Sequence, residues 1–283
     1  MNSRLVMSKY KIVTMTVNLG HLKFIFSLLF IVSLVNLSAQ EKEHYSEELH
    51  INNEDTLRYR MLLPKNFDTS KQYPLVLFLH GAGERGEDNI KQLAHGSKMF
   101  LNETVRDSFP AIVIFPQCSQ NDYWSKLEAD RSTRPISFKY KYDEPPTTAM
   151  TSVINLMETL VEKPYVNTDQ VYVMGLSMGG MGTFEIIYRK PEMFAAAIPI
   201  CGGGDPESVT AYAKTIALWV FHGAKDDVVD PNLSVSMVSA ILKAGGLPKF
   251  TLYDFANHNS WDPAFAEPEL LKWLFSNLKY NND

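Results

Sequence analysis

Over residues 44–51 and 56–63 apolar and polar positions alternate, the period of a strand with one buried face. The tetrad Asn52-Asn53-Glu54-Asp55 separates them, so the pair predicts an antiparallel hairpin. Beyond residue 64 the pattern changes. Residues 75–79, 111–115, 171–174, 195–200, 216–221 and 249–253 are short runs, most of them continuously apolar, as expected of strands buried on both faces. Amphipathic stretches at 89–101, 147–162, 178–189, 232–244 and 268–278 predict helices between them. Apolar strands alternating with helices predict βαβ units, hence an α/β fold with a mostly parallel sheet flanked by helices and a leading antiparallel hairpin. One long irregular stretch, 116–146, is rich in aromatic and charged residues, and a loop of that length in a compact domain is usually a lid or binding loop.

The beginning of the chain stands apart. Residues 1–40 hold Arg4, Lys9, Lys11 and Lys23 and no acidic residue, and 24–37 is a run of fourteen mostly apolar residues. Such a run is short for a bilayer span and fits the apolar region of a signal peptide. Ser38-Ala39-Gln40 supplies small residues for cleavage, giving a leader over 1–40 and a single catalytic domain over 41–283, exported to the periplasm or outside the cell. An uncleaved anchor, or a start at Met7 or Met15, is the alternative; no stable membrane anchor is expected. The whole chain carries a net charge of −5, and without the leader 23 Lys+Arg face 32 Asp+Glu, a balance of −9. That charge is unsuited to nucleic acid or to an anionic membrane. Cys118 and Cys201 are read as buried free thiols, with a disulfide between them, which export would permit, as the alternative, and neither spacing suggests a metal site.

The chemistry begins at Gly175-Leu176-Ser177-Met178-Gly179. A strand enters this G-x-S-x-G pattern and a helical stretch leaves it, the context of a nucleophile elbow. The sharp turn presents the Ser177 hydroxyl at the strand end, and small flanking residues let the helix pack close behind. The Met178 N–H, at the helix start, faces the same space and can donate to an oxyanion. After the strand at 75–79 comes His80-Gly81-Ala82-Gly83-Glu84-Arg85-Gly86, and the Ala82 N–H is the candidate second donor. His80 is read as structural, and Glu84 with Arg85 as a local ion pair. After the strand at 216–221 comes His222-Gly223-Ala224-Lys225-Asp226-Asp227, where Asp226 is the candidate acid, with Asp227 and Asp230 as rivals and His222 again structural. After the last strand, His258 is the candidate base. Ser177, Asp226 and His258 each fall at a strand end, in the chain order of an α/β-hydrolase. Trp124 and Trp261, on loops expected to ring the site, are either packing residues or stacking platforms for an aromatic or sugar ring. Gly202-Gly203-Gly204 is either a close-approach site for substrate or a tight turn.

The segments HGAGERGEDN, PQCSQNDYW, GLSMGGMGTFE, PICGGGDP, FHGAKDDVV and HNSWDPAF together resemble exported α/β-hydrolases of the predicted-peptidase and prolyl-oligopeptidase-like group, related to carbohydrate esterase family one and the feruloyl esterases. The likeness runs from about His44 to the C-terminus. It implies Ser177, Asp226 and His258 as a triad, Ala82 and Met178 as oxyanion donors, and no metal or organic cofactor. Asp230 departs from the pattern, standing where a proline is more usual. The expected activity is hydrolysis of small acyl, acetyl or feruloyl esters, carbohydrate-linked, with a small-molecule or oligosaccharide ester as the only partner. A serine peptidase and, from another class, a non-catalytic binding protein are the alternatives.

Overall fold

The computed structural model describes residues 44–52 and 55–279; the expected leader and the turn residues 53–54 lie outside them. Strands β1 (Ser46–Asn52) and β2 (Asp55–Leu62) pair antiparallel, from Ser46 opposite Met61 to Asn52 opposite Asp55. They open an eight-stranded sheet with β3 (Tyr73–Leu79), β4 (Ile112–Pro116), β7 (Val166–Leu176), β8 (Ala196–Ile200), β9 (Ala217–Gly223) and β10 (Lys249–Tyr253), in the order β1-β2-β4-β3-β7-β8-β9-β10. β2 is antiparallel to β4, and every pairing from β4 to β10 is parallel. The expected hairpin, the strand runs and the mostly parallel sheet are thus all present.

Alternate residues of each central strand enter two separate cores, as the pleat requires. Leu75, Leu77 and Leu79 of β3 pack on one face with α3 (Thr148–Val161), α4 (Met178–Arg189) and α5 (Pro231–Lys243). Val76 and Phe78 pack on the other, with Phe100 and with Leu270, Leu271 and Leu274 of α7 (Leu270–Ser276). Burial on both faces is why these strands read as continuous apolar runs. Among the described residues no helix is long and apolar enough to cross a membrane.

Two regions depart from the sequence reading. The helix expected over 89–101 is broken: a 3₁₀ turn at Lys91–Leu93 precedes the short α1 (Ser97–Leu101). Between them Gly96 has φ +78°, and a Cβ there would lie 2.5 Å from the Phe78 ring, so the chain must turn to seat itself on that side chain. A further short helix, α2 (Glu103–Ser108), follows, with Asn102 accepting the Val105 N–H at its start. The irregular stretch 116–146 contains a second, two-stranded antiparallel sheet, β5 (Leu127–Asp130) with β6 (Ser137–Tyr140). Its base is anchored by Glu185 of α4, fully buried, whose Oε2 accepts the Ser125 hydroxyl at 2.8 Å and the Lys126 N–H at 2.6 Å. Arg189 Nε donates to the other oxygen at 2.7 Å, which balances the buried charge. The far strand is tied elsewhere: the Ile136 N–H donates to the Val228 carbonyl at 2.9 Å.

The helix behind β7 packs without room for side chains. A Cβ on Gly179 would lie 1.9 Å from the Leu79 carbonyl oxygen, whereas one on Gly83 would meet nothing within 4 Å. Gly179→Ala is therefore expected to lower stability by roughly 3 kcal/mol or more, and Gly83→Ala to change it by well under 1 kcal/mol. Thermal unfolding of the two variants checks this; equal midpoints would contradict the packing described.

Candidate active site

Strand β7 ends at Leu176 and α4 begins at Met178, so Ser177 alone carries the reversal. Its φ of 53° and ψ of −115° lie outside the relaxed regions for a non-glycine residue. The turn is held by the Ser177 N–H, which donates to the Ile200 carbonyl of β8 at 2.9 Å. The hydroxyl so presented lies 3.0 Å from His258 Nε2. His258 Nδ1 lies 2.7 Å from Asp226 Oδ2. With a carboxylate on Nδ1, the proton of the neutral ring sits there, which leaves Nε2 to accept from the serine hydroxyl.

Asp226 is the most heavily bonded group of the site. Oδ1 accepts the N–H groups of Val228 and Val229, both at 2.9 Å, and Oδ2 accepts from His258, with His222 Nε2, which also meets the Val229 carbonyl at 3.1 Å, lying 3.2 Å away. Burial pushes this carboxyl up, but the hydrogen bonds from His222, His258 and Val229 and the attraction of His258 outweigh it and hold it below the usual carboxylate range. Of the rivals, Asp230 caps α5 by accepting the Asn232 N–H, and Asp227 is exposed. The loop bearing His258 is stitched to the acid loop: Asn257 Oδ1 accepts the N–H groups of Asp227 at 3.1 Å and of His258 at 2.7 Å. The Lys225 N–H donates to the Ala256 carbonyl at 3.0 Å. Gly223 permits this approach, since a Cβ there would fall 2.3 Å from the Asn257 carbonyl oxygen. Asn257 was not legible as a site residue; an asparagine beside a loop histidine has no pattern of its own.

Ala82 opens a 3₁₀ turn (Ala82–Glu84), and neither its N–H nor that of Met178, first in α4, has an acceptor among the described residues. Gly81, Ala82, Ser177, His258 and Trp261 line one cleft of about 280 Å³. Trp261 begins α6 (Trp261–Phe265), and its ring meets that of His258 edge-on, centroids 5.5 Å apart.

Other expectations need correction. Trp124 does not ring the cleft: it is fully buried, its Nε1 donates to the His80 carbonyl at 3.1 Å, and its Cβ lies 2.5 Å from where a Cβ on Gly182 would stand. It is a packing residue, set there because the indole N–H finds a buried carbonyl. Glu84 and Arg85 do not pair. Glu84 faces His95 Nε2 at 3.7 Å, and Arg85 donates to the carbonyls of Ala82 and Asp122. Gly202, Gly203 and Gly204 are filled by the protein itself, with Gly180, the Tyr140 hydroxyl and Phe184 where their Cβ atoms would be.

His80 and His222 are buried and structural, as the sequence suggested. His80 Nδ1 donates to the Gly81 carbonyl at 2.6 Å, and Nε2 accepts the Cys118 N–H at 3.0 Å. Burial lowers its pKa to about 4, so the ring is neutral. Cys118 and Cys201 are free and buried, and burial pushes both thiols up. Cys201, Asp226 and His258 bring ligand atoms within 4.8 Å of one another, the one such His/Cys/acid group among the described residues. A metal there would have to break the Asp226–His258 bond and ionise a thiol that burial keeps protonated.

A sheet of this topology, a serine on a strand–helix turn, and a histidine between that serine and a buried aspartate make the arrangement of the α/β-hydrolases, the fold class of this chain. Residues 52–220 match the Esterase family, more than half of the chain, and the protein belongs to that family. It is similar to a thermostable esterase of known structure, 34% identical with a TM-score of 0.75 over 84% of this chain and 64% of that one. It is also similar to a bifunctional acetylxylan esterase/xylanase of Neocallimastix patriciarum, 23% identical over 56% of this chain and 20% of that one. The fold recurs in a dipeptidyl peptidase 4 of Porphyromonas gingivalis, 15% identical with a TM-score of 0.60, covering 83% of this chain and 35% of that one. The chain thus spans only part of each.

The buried His80 sets a pH dependence. Its folded pKa of about 4 lies below the ordinary 6.5, so the unfolded chain takes up a proton at higher pH than the folded one. Its contribution is fully present above pH 6.5 and is lost as pH falls toward 4, by up to about 3 kcal/mol. Asp226, held below 3.8, adds nothing in this window, because its contribution fades only at lower pH. Urea unfolding is expected to show stability falling from pH 6.5 to 4; a flat profile would contradict the neutral buried ring.

Proposed function

We propose that this protein is a serine esterase working through an acyl-enzyme. The observation that carries the reading is His258, placed 3.0 Å from the Ser177 hydroxyl by one nitrogen and 2.7 Å from a buried aspartate by the other. In the first step His258 Nε2 takes the hydroxyl proton as Ser177 Oγ attacks the ester carbonyl carbon. Asp226 keeps the imidazole in the required tautomer and stabilises it once protonated. The N–H groups of Ala82 and Met178 receive the oxyanion, each worth roughly 3–4 kcal/mol where such donors have been removed elsewhere. The intermediate collapses, the alcohol leaves with the proton from His258, and water attacks the acyl-enzyme by the same route.

The substrates proposed are small acyl esters, acetyl or feruloyl, attached to carbohydrate. Family membership supports an ester, the acetylxylan esterase relative supports a carbohydrate alcohol, and a cleft of about 280 Å³ suits a compact acyl group. Trp261 supplies a ring face or edge at the cleft as well as packing on His258. A peptidase is the competing reading, carried by the fold shared with dipeptidyl peptidases. An ester is the easier acyl donor, because an alcohol is a far less basic leaving group than an amine and depends less on the proton His258 supplies. Export is also proposed, on the apolar run 24–37 with basic residues before it.

Four measurements test this. Ser177→Ala should lower kcat on p-nitrophenyl acetate and methyl ferulate by roughly 10⁴-fold or more, with the fold kept by circular dichroism. Asp226→Asn should cost about 10³-fold or more, because the amide favours the wrong tautomer, and the exposed Asp227→Asn less than about fivefold. A peptide anilide should be turned over far more slowly than its matched ester; comparable kcat/KM would favour the peptidase. N-terminal sequencing of the protein from its native host should begin at Gln40 or Glu41, and an intact cytosolic chain would overturn export.

A further inference from the structure

The cleft beside Ser177 is lopsided in charge. Arg131, on the turn between β5 and β6, lines it with Tyr123, Ile136 and Phe138. Burial pushes the Tyr123 phenol up, and the nearby Arg131 guanidinium pulls it part of the way back. A second guanidinium, that of Arg85, sits 5.8 Å from the centroid of the same phenol ring and donates only to the backbone carbonyls of Ala82 and Asp122. Among the described residues neither arginine has a carboxylate within ion-pair distance. Two other basic residues of the hairpin are matched, Lys126 by Glu144 at 3.2 Å and Lys141 by Glu128 at 3.1 Å. The one acidic side chain lining the cleft, Glu84, is faced by His95 at 3.7 Å. Segment 126–141 holds five basic residues against two acidic ones, in a chain whose net charge is −5. Positive charge is therefore concentrated over the cleft of an acidic protein, and part of it is left uncompensated there.

An arginine fork and a phenol side by side are a matched receptor for a carboxylate. The guanidinium offers two parallel donors, and the phenol on the same wall has a hydroxyl proton to give. Apolar walls from Ile136 and Phe138 lower the local dielectric and strengthen such a pair relative to open water.

Resting on the esterase reading, we propose that this site selects esters that bear a free carboxylate, bound by Arg131 with the Tyr123 hydroxyl. The carboxylate can belong to the acyl chain or to the alcohol, an acidic sugar for instance, and the two sources are separable by substrate.

The acyl arm compares mono-p-nitrophenyl adipate with p-nitrophenyl hexanoate, its uncharged equivalent. The alcohol arm compares 4-acetoxybenzoate with 4-acetoxybenzamide. In one arm the anionic ester is expected to have a kcat/KM about tenfold or more above its neutral partner, the scale of one charge-assisted hydrogen bond, with the difference in KM. The arm that shows it names the source. Arg131→Gln should bring the ratio toward one, Arg131→Lys should keep part of it, and 0.5 M NaCl should shrink it in the wild type. Arg131 is exposed, so neither variant is expected to disturb folding. Neutral esters turned over as well as or better than anionic ones in both arms, or a ratio untouched by Arg131→Gln, would overturn this proposal and leave the esterase reading standing. No turnover of any of the four esters would defeat both.

Discussion

Everything at the candidate site depends on one steric fact: α4 lies against the ends of β3, β7 and β8 with no space for a Cβ. Gly175, Gly179, Gly180 and Gly202 would each place one within 2.6 Å of backbone atoms across the contact. This tightness leaves a single residue, Ser177, to turn the chain from strand to helix. The resulting conformation costs roughly 1–3 kcal/mol, which surrounding burial and the bond to the Ile200 carbonyl must offset. In return the serine hydroxyl is presented to His258, and the first N–H of α4, on the next residue, is left without an acceptor among the described residues.

A second constraint keeps His258 in place. Asp226 is held in place, because two N–H groups take one of its oxygens and His258 the other, with His222 alongside. Its loop is bound on either side: to the His258 loop through Asn257, and to the β5–β6 hairpin through the bond from Ile136 to Val228. The hairpin is anchored in turn to α4 by the buried Glu185. Ser177, His258, Asp226 and the cleft wall are thus cross-braced by bonds between loops that the sheet alone would leave independent.

Much of this was legible in the chain. The central strands stood out because burial on both faces gives them continuous apolar runs, as at 75–79 and 171–174, and the order of Ser177, Asp226 and His258 at strand ends was readable from motif and context together. The β5–β6 hairpin was not. Its strands are four residues each and half exposed, so their alternation is too brief to separate from a loop. The break at Gly96 was hidden because its cause is Phe78, remote in sequence. Trp124 misled for a similar reason: only the fold shows that a carbonyl waits for its N–H in the core. The partners of Glu84 and Arg85 likewise depend on loops far along the chain, which local charge proximity cannot reveal.

The central claim is that Ser177, activated by His258, is the nucleophile. Treating the native protein with a fluorophosphonate and mapping the adduct by peptide mass spectrometry tests it most directly. The account predicts one covalent adduct, on Ser177, forming in step with loss of ester hydrolysis, and its absence in a folded His258→Ala variant over the same interval. A protein that remains unlabelled while hydrolysing esters, or that is labelled at another residue as activity is lost, would contradict it.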